Sequence, residues 1–206
     1  LNKAKITRAG KITNAAIILL GREESEHFLS PAVCVIRWKL LAKEDKNKDF
    51  HNFHVPMIKS VEEITTGYIR NNNYVYTVSG NIFPENMMRY DVFTLREPIC
   101  NAIGHQDYGM GARIELLEYE DEKLVIQNYG QFIPNSVEDV VEKDCPDSRY
   151  RNPFLMEAMC NIGMAETEGG GIRKLFVQQR KRFFPMPIYD LSGQKVRCEI
   201  QGKVLN

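Results

Sequence analysis

Leu95-Arg96-Glu97-Pro98-Ile99-Cys100-Asn101-Ala102, followed by His105-Gln106-Asp107-Tyr108, is the stretch on which the reading of this chain turns. Asp91 is a good N-cap, and Val92, Leu95, Ile99 and Ala102 recur at helical spacing, so a helix with those four residues on its buried face is expected. Glu97 and Asn101 lie four residues apart, on one face, where both can point at one ligand. A carboxylate and an amide so spaced also occur on many solvated helices, so the pair alone decides nothing. Pro98 lacks a backbone donor and biases the residue before it away from helical angles, so a kink is expected beside Glu97.

Upstream, Thr13 is placed to cap a short apolar helix ending at Leu20, and Ala32 to Leu40 reads as a buried strand holding the single Trp38. Lys43 to Lys48 is charged and turn-like, and His51 to His54 reads as a loop crossing. From Pro56, Ile58, Val61, Ile64 and Tyr68 recur at helical spacing up to an Asn71-Asn72-Asn73 stop, and Tyr74 to Val78 reads as a strand.

Downstream, Ile114, Leu116, Leu124 and Ile126 alternate with polar residues around an acidic turn at Glu120 to Glu122, the pattern of a hairpin with one buried face. Ser136 and Asp139 suit the start of a short helix, and Asn152-Pro153 an N-cap followed by a proline at the first helical position. After Gly169-Gly170-Gly171, the residues Ile172, Leu175, Phe176 and Phe183 predict an amphipathic helix that Pro185 ends. Two last strands flank Ser192-Gly193, with Val196, Cys198 and Ile200 facing inward. Helices and strands mix without strict alternation, so the class expected is α+β, a layer of helices on a mixed sheet.

The 206 residues are enough to bury a sizeable core, and their composition is that of a globular protein. Lys+Arg and Asp+Glu balance at 27 each, which argues against strong non-specific attraction of the whole chain to nucleic acid or an anionic membrane. Five scattered cysteines, with no C-x-x-C pair, suit reduced thiols in the cytoplasm rather than a disulfide framework or a zinc site. The four histidines, His27, His51, His54 and His105, show no H-x-x-x-H spacing, which argues against a metalloenzyme. The longest apolar run, Ala15 to Leu20, is far too short to span a bilayer. The chain starts at Leu1 in structured-looking sequence, so it reads as a piece of a longer protein.

The opening stretch resembles the L-R-E-A-x-x-N-A-x-x-H-R-D-Y signature of the RecG-C-terminal-like, divergent AAA-type ATP-binding family. Three further motifs follow in the family's order: Ile126-Gln127-Asn128-Tyr129-Gly130, Arg151-Asn152-Pro153, and Gly163 with Glu166, Gly169-Gly170-Gly171 and Ile172. The likeness runs from about residue 57 to 200. Residues from about Lys5 to Leu40, with Ile12-Thr13-Asn14-Ala15-Ala16, look like the tail of the Schlafen/AlbA-type domain that precedes it. The organisation implied is a fragment of that domain over 1–55 and an ATP-binding domain over 56–206. The family is similar to the GHKL (Bergerat) ATPases, which implies a two-layer sandwich of helices on a mixed sheet.

The resemblance implies roles by motif. Glu97 would be the general base for an attacking water, and Asn101 would offer its amide oxygen to Mg²⁺, a cation that takes hard oxygen ligands and keeps several waters. Asn128 stands where GHKL enzymes accept from the adenine amino group, and Gly130 would leave room for the base. Gly169, Gly170 and Gly171 open a helix, where backbone N–H groups and the helix dipole suit phosphate oxygens. Two residues depart from the signature: Pro98 replaces an alanine, and Gln106 replaces an arginine, removing a fixed charge. The ligands implied are ATP and Mg²⁺. The partners implied are a nucleotide, DNA through flanking domains, and a second copy of the chain, in a transcriptional regulator whose nucleotide acts as a switch and is hydrolysed slowly.

Other readings of the same residues stay open. The glycines also suit a plain turn, Asn128 a strand end, and His105 a helix C-terminus favoured by the dipole. Arg173, Lys174, Arg180, Lys181 and Arg182, interleaved with Phe176, Phe183 and Phe184, could be a phosphate-contacting stripe of a DNA-binding or scaffolding module with a degenerate pocket.

Overall fold

A computed structural model describes residues 4–42, 46–71, 73–76, 85–142, 149–165 and 170–202. Its sheet has six strands: β3 (Ile36–Leu41), β4 (Asn47–Phe53), β7 (Ile114–Tyr119), β8 (Lys123–Tyr129), β9 (Ile188–Asp190) and β10 (Lys195–Gln201). Their order is β4-β3-β7-β8-β10-β9, with β3 and β7 parallel and the other neighbours antiparallel, so the sheet is mixed. Short antiparallel pairs lie apart from it: β1 (Thr7–Arg8) with β2 (Lys11–Ile12), and β5 (Asn73–Tyr76) with β6 (Glu85–Met88).

Alternation decides which face of the sheet is covered. Ile114 and Leu116 on β7, Leu124 and Ile126 on β8, and Cys198 and Ile200 on β10 are buried on one face, as the hairpin pattern predicts, while Val125 and Gln127 of β8 are buried on the other face as well. The covering helices are α1 (Asn14–Leu20), α2 (Met57–Glu63), α3 (Val92–His105), α5 (Pro153–Asn161) and α6 (Gly171–Lys181), with the shorter α4 (Val137–Glu142) against α6. The fold is thus the α+β sandwich of helices on a mixed sheet that the sequence predicts. The sheet draws on both sides of the 55/56 division, since β3 and β4 precede it and β3 pairs with β7.

Local signals hold at the helix starts. The Thr13 hydroxyl accepts from Ala16 N at 3.1 Å, Asp91 from Thr94 N at 2.8 Å, and Ser136 from Asp139 N at 3.0 Å. Trp38 is buried and donates its Nε1–H to Glu118.

Several expectations change. The strand of Trp38 begins at Ile36 rather than Ala32, and residues 47–53 form the edge strand β4 where a charged turn and a loop crossing were expected. Its exposed polar run hides it from a hydrophobic reading, because an edge strand needs no apolar face on the solvent side. Val92 is 65% exposed although Thr94 and Leu95 of the same turn are fully buried, and Ile58 yields the inner position to Met57. α3 continues through Pro98 without a break.

The end of α6 corrects a third face. Phe183 takes a left-handed φ of 57° and is 54% exposed, while Phe184 turns fully inward. Phe184 N–H donates to Gln179 O and Phe183 N–H to Arg180 O, the reversal that ends helices in a Schellman turn, with its apolar residue one place later than the helical period suggests.

Candidate functional site

The middle of α3, the inner face of β8 and β10, and the first turn of α6 enclose one cavity. Glu97, Asn101, Asn128 and Gly171 all line it. Glu97 is 5% exposed, and Asn101 Nδ2–H donates to its Oε1 at 3.0 Å, the pairing expected of residues one helical turn apart. With its NH₂ so used, Asn101 keeps Oδ1 as its acceptor end. Asn128, on β8, is also buried and gives its Nδ2–H to Tyr129 O at 3.2 Å, again leaving a carbonyl oxygen.

The floor beside Asn128 is apolar, made by Ile126, Val196 and Cys198 with Tyr189 of β9. Gln131, Phe132 and Tyr150, from the segment after β8 and the approach to α5, form another wall. Sequence reasoning placed Ile126, Val196 and Cys198 on inward faces but missed Tyr189, Gln131, Phe132 and Tyr150 as wall residues, because these come from separate elements and carry no motif. Burial pushes the Cys198 thiol up to about 12, with the Glu199 charge adding to the effect against a Tyr189 hydrogen bond, and burial raises the Cys100 thiol to about 12 as well. Both remain protonated, apolar-like wall and core groups.

Gly171 is the first residue of α6 and is buried against Glu97. A Cβ there would lie 1.5 Å from Glu97 Oε1 and 2.4 Å from its Cδ, so only glycine permits this approach. Gly170, at the cap position, has open space around it. Gly169 and Glu166 of the same motif lie outside the described residues.

Gly130 lies between Asn128 and Gln131 in the chain but does not itself line the cavity, and its φ is 117°. A Cβ on it would meet Arg151 Nε at 2.7 Å and His105 O at 3.2 Å, so the room it leaves is taken by the Arg151 guanidinium. Arg151 also donates from Nη2 to Gln131 O at 2.9 Å and lies 3.6 Å from Asp107. Asn152 does not cap α5 with its side chain. Its Nδ2 instead donates to Gly104 O at 3.0 Å and Gln106 O at 2.9 Å, satisfying carbonyls at the C-terminal end of α3.

Gln106 is fully buried: Nε2–H donates to Ala112 O at 2.7 Å and Oε1 accepts from Tyr129 N at 2.9 Å. A neutral amide supplies both a donor and an acceptor here. It joins α3 to β8 and does not line the cavity, so the charge expected at this position bears on packing rather than on the wall. His105 does line the cavity, 5.7 Å between centroids from Tyr150. Burial, then the nearby Arg151 charge, lowers its pKa, so the helix dipole expected to favour the charged ring is outweighed.

Of the basic stripe, Lys174, Arg180 and Lys181 stay exposed on α6 and Arg173 is half-buried, while Arg182 turns inward. Arg182 is buried, lies over the Phe184 ring at 4.2 Å, pairs with Asp91 at 3.2 Å and donates to Met88 O. Among the described residues no group of three His, Cys, Asp or Glu side chains is arranged to hold a metal. No described helix is long and apolar enough to cross a membrane.

Comparison with known proteins agrees with the motif reading over part of the chain. Residues 111–200 match the family model described as "Putative ATP-dependent DNA helicase recG C-terminal". That segment holds Asn128, Gly130 and the glycine turn. The fold is similar to the crystal structure of the DIP2311 protein from Corynebacterium diphtheriae, at 15% identity and a TM-score of 0.76. The likeness covers 99% of this chain and 41% of that one, so the chain spans less than half the length of that neighbour, and at this identity it speaks to the fold alone. No curated protein matches the chain.

Proposed function

We propose that the chain is an ATP-binding domain of GHKL type, using Mg²⁺, in which the nucleotide acts as a conformational switch and is hydrolysed slowly. The observation that carries the reading is convergence: Glu97 and Asn101 from α3, Asn128 from β8 and Gly171 from α6 face one cavity with an apolar floor. Buried polar groups gathered around an apolar pocket are the usual form of a small-molecule site. The family match over residues 111–200 supports a nucleotide as that molecule.

In this reading the apolar floor takes the adenine ring, and Asn128 Oδ1 accepts from its amino group. A base that offered a carbonyl there would meet an acceptor and be disfavoured. The donor set suits a hard cation: Glu97 engages Asn101 through Nδ2–H, which leaves the Asn101 amide oxygen as the atom that would meet the ion. Mg²⁺, when bound, would neutralise phosphate charge. Glu97 would orient and deprotonate a water, and its first-turn neighbour Gly171 brings the α6 amides to the phosphate side. Gly169 and Gly170 complete that seat in the same proposal. Gly130 then serves by making room for the Arg151 guanidinium behind the strand end that carries Asn128.

The regulator role, the Schlafen/AlbA-type origin of residues 1–55, the cytoplasmic location, DNA contacts through flanking domains and pairing of two copies are extensions of this proposal that rest on the sequence motifs. Calorimetric titration with Mg-ATP tests its core: saturable binding that Asn128→Ala weakens about ten-fold or more is expected from loss of a buried hydrogen bond. No heat at millimolar nucleotide would overturn it.

A further inference from the structure

The geometry points to Glu97 as the resident occupant of the phosphate seat, so that nucleotide entry and release of the proposed base from α6 are one event. This rests on the nucleotide reading and adds regulation of the same site.

Three observations converge on it. Glu97 Oε1 lies so near Gly171 that the first residue of α6 has room for no side chain at all. α6 has no side-chain cap of its own, since its cap residue is Gly170. The carboxylate is buried, and Asn101 Nδ2–H holds the same Oε1 that faces Gly171.

A helix N-terminus carries partial positive charge and unsatisfied N–H groups, and a carboxylate placed against it supplies what a capping side chain would. A triphosphate oxygen seeks the same place for the same reason. Two anions cannot share it. The side chain is therefore a built-in competitor. While it is seated the carboxylate lies against the first residue of α6 and accepts from Asn101, and is not directed at a water. When a phosphate takes the seat, Glu97 is displaced toward the side from which it could act, and the hydrogen bond that engages Asn101 is broken. Binding and arming are then coupled without any movement of the sheet.

Three variants of the chain test this, each titrated with Mg²⁺ and the non-hydrolysable analogue AMP-PNP, and separately with adenosine. Glu97→Gln removes the charge. Glu97→Asp keeps the charge and draws it back by one methylene, about 1.5 Å. Glu97→Ala empties the seat. Both Glu97→Gln and Glu97→Asp should tighten AMP-PNP on the order of ten-fold and leave adenosine unchanged, because adenosine brings no rival anion. Tightening in Glu97→Gln alone would reflect simple charge repulsion and overturn the proposal, as would unchanged or weaker AMP-PNP binding in both. Hydrogen exchange of the ligand-free protein supplies a second readout. Amides of residues 171–174 should exchange several-fold faster in Glu97→Ala than in the unaltered chain, and equal rates would refute the contact. If the unaltered chain binds neither AMP-PNP nor adenosine, the nucleotide reading falls, and exchange alone then decides whether Glu97 caps α6.

Discussion

Replacing Gly171 by alanine asks whether α6 truly rests on Glu97. The new Cβ would lie 1.5 Å from Glu97 Oε1, and real contacts stay beyond 3.0 Å, so one partner must retreat by about 1.5 Å. Glu97 is buried and tied to Asn101, so its retreat breaks that hydrogen bond, and α6 can retreat only by loosening its contact with α3. Overpacking of this kind costs about 1–3 kcal/mol. Alanine gives back roughly 0.5–1 kcal/mol by restricting the unfolded chain, which leaves a net loss of about 1 kcal/mol at the middle of both ranges. For a chain of this size that is a fall in Tm of roughly 2–5 °C, readable by thermal or urea unfolding. Combining it with Glu97→Ala should restore most of the loss, because the obstructing carboxylate is gone. Stability equal to or above that of the unaltered chain in Gly171→Ala would show that the approach is looser than described and would undo the argument for the glycine.

Other substitutions separate neighbouring roles. Asn152→Ala should cost about 1–3 kcal/mol in urea unfolding, because Gly104 O and Gln106 O lose their donors, even though no cap is removed. Phe184→Ala should cost about 3–5 kcal/mol, while Phe183→Gly should be neutral or stabilising by about 1 kcal/mol, since it relieves a left-handed residue that is mostly exposed. Glu118 gives a pH signature. Burial raises its pKa against hydrogen bonds from Arg70 N–H and Trp38 Nε1–H, so its stabilising contribution is complete below the ordinary carboxyl value and is lost as pH rises through the higher folded one. Lowering the pH from 7 toward about 4.5 should therefore raise the stability of the unaltered chain relative to Glu118→Gln, and a relative fall would contradict the burial argument.

Much of the frame was legible because it depends on local chemistry. Thr13, Asp91 and Ser136 start helices by accepting the hydrogen bonds their hydroxyl and carboxyl groups suit. Ile114 to Ile126 forms the hairpin that two-residue alternation requires. What failed was set by tertiary position. β4 is polar because it lies at the sheet edge. Phe184 rather than Phe183 enters the core because one left-handed residue resets the phase of the chain. α3 runs on unbroken through Pro98, where a kink was expected beside Glu97.

The candidate site divides along the same line. Glu97 and Asn101 share a face by helical periodicity alone, which any sequence reading can reach. That Asn128 and Gly171 meet them in one cavity depends on the crossing of three elements and was implied only by family likeness. Gln106 and Asn152 stand within motif stretches yet serve to join α3 to β8 and to the start of α5. Their spacing gave no sign of this, because an amide's partners depend on the packing around it.

The most direct test of the account is a calorimetric titration of the chain with Mg²⁺ and AMP-PNP, run beside Asn128→Ala and Asn101→Ala. The account predicts one saturable site per chain, weakened about ten-fold or more by each substitution. Absence of binding at millimolar ligand, or binding that neither substitution alters, would contradict it.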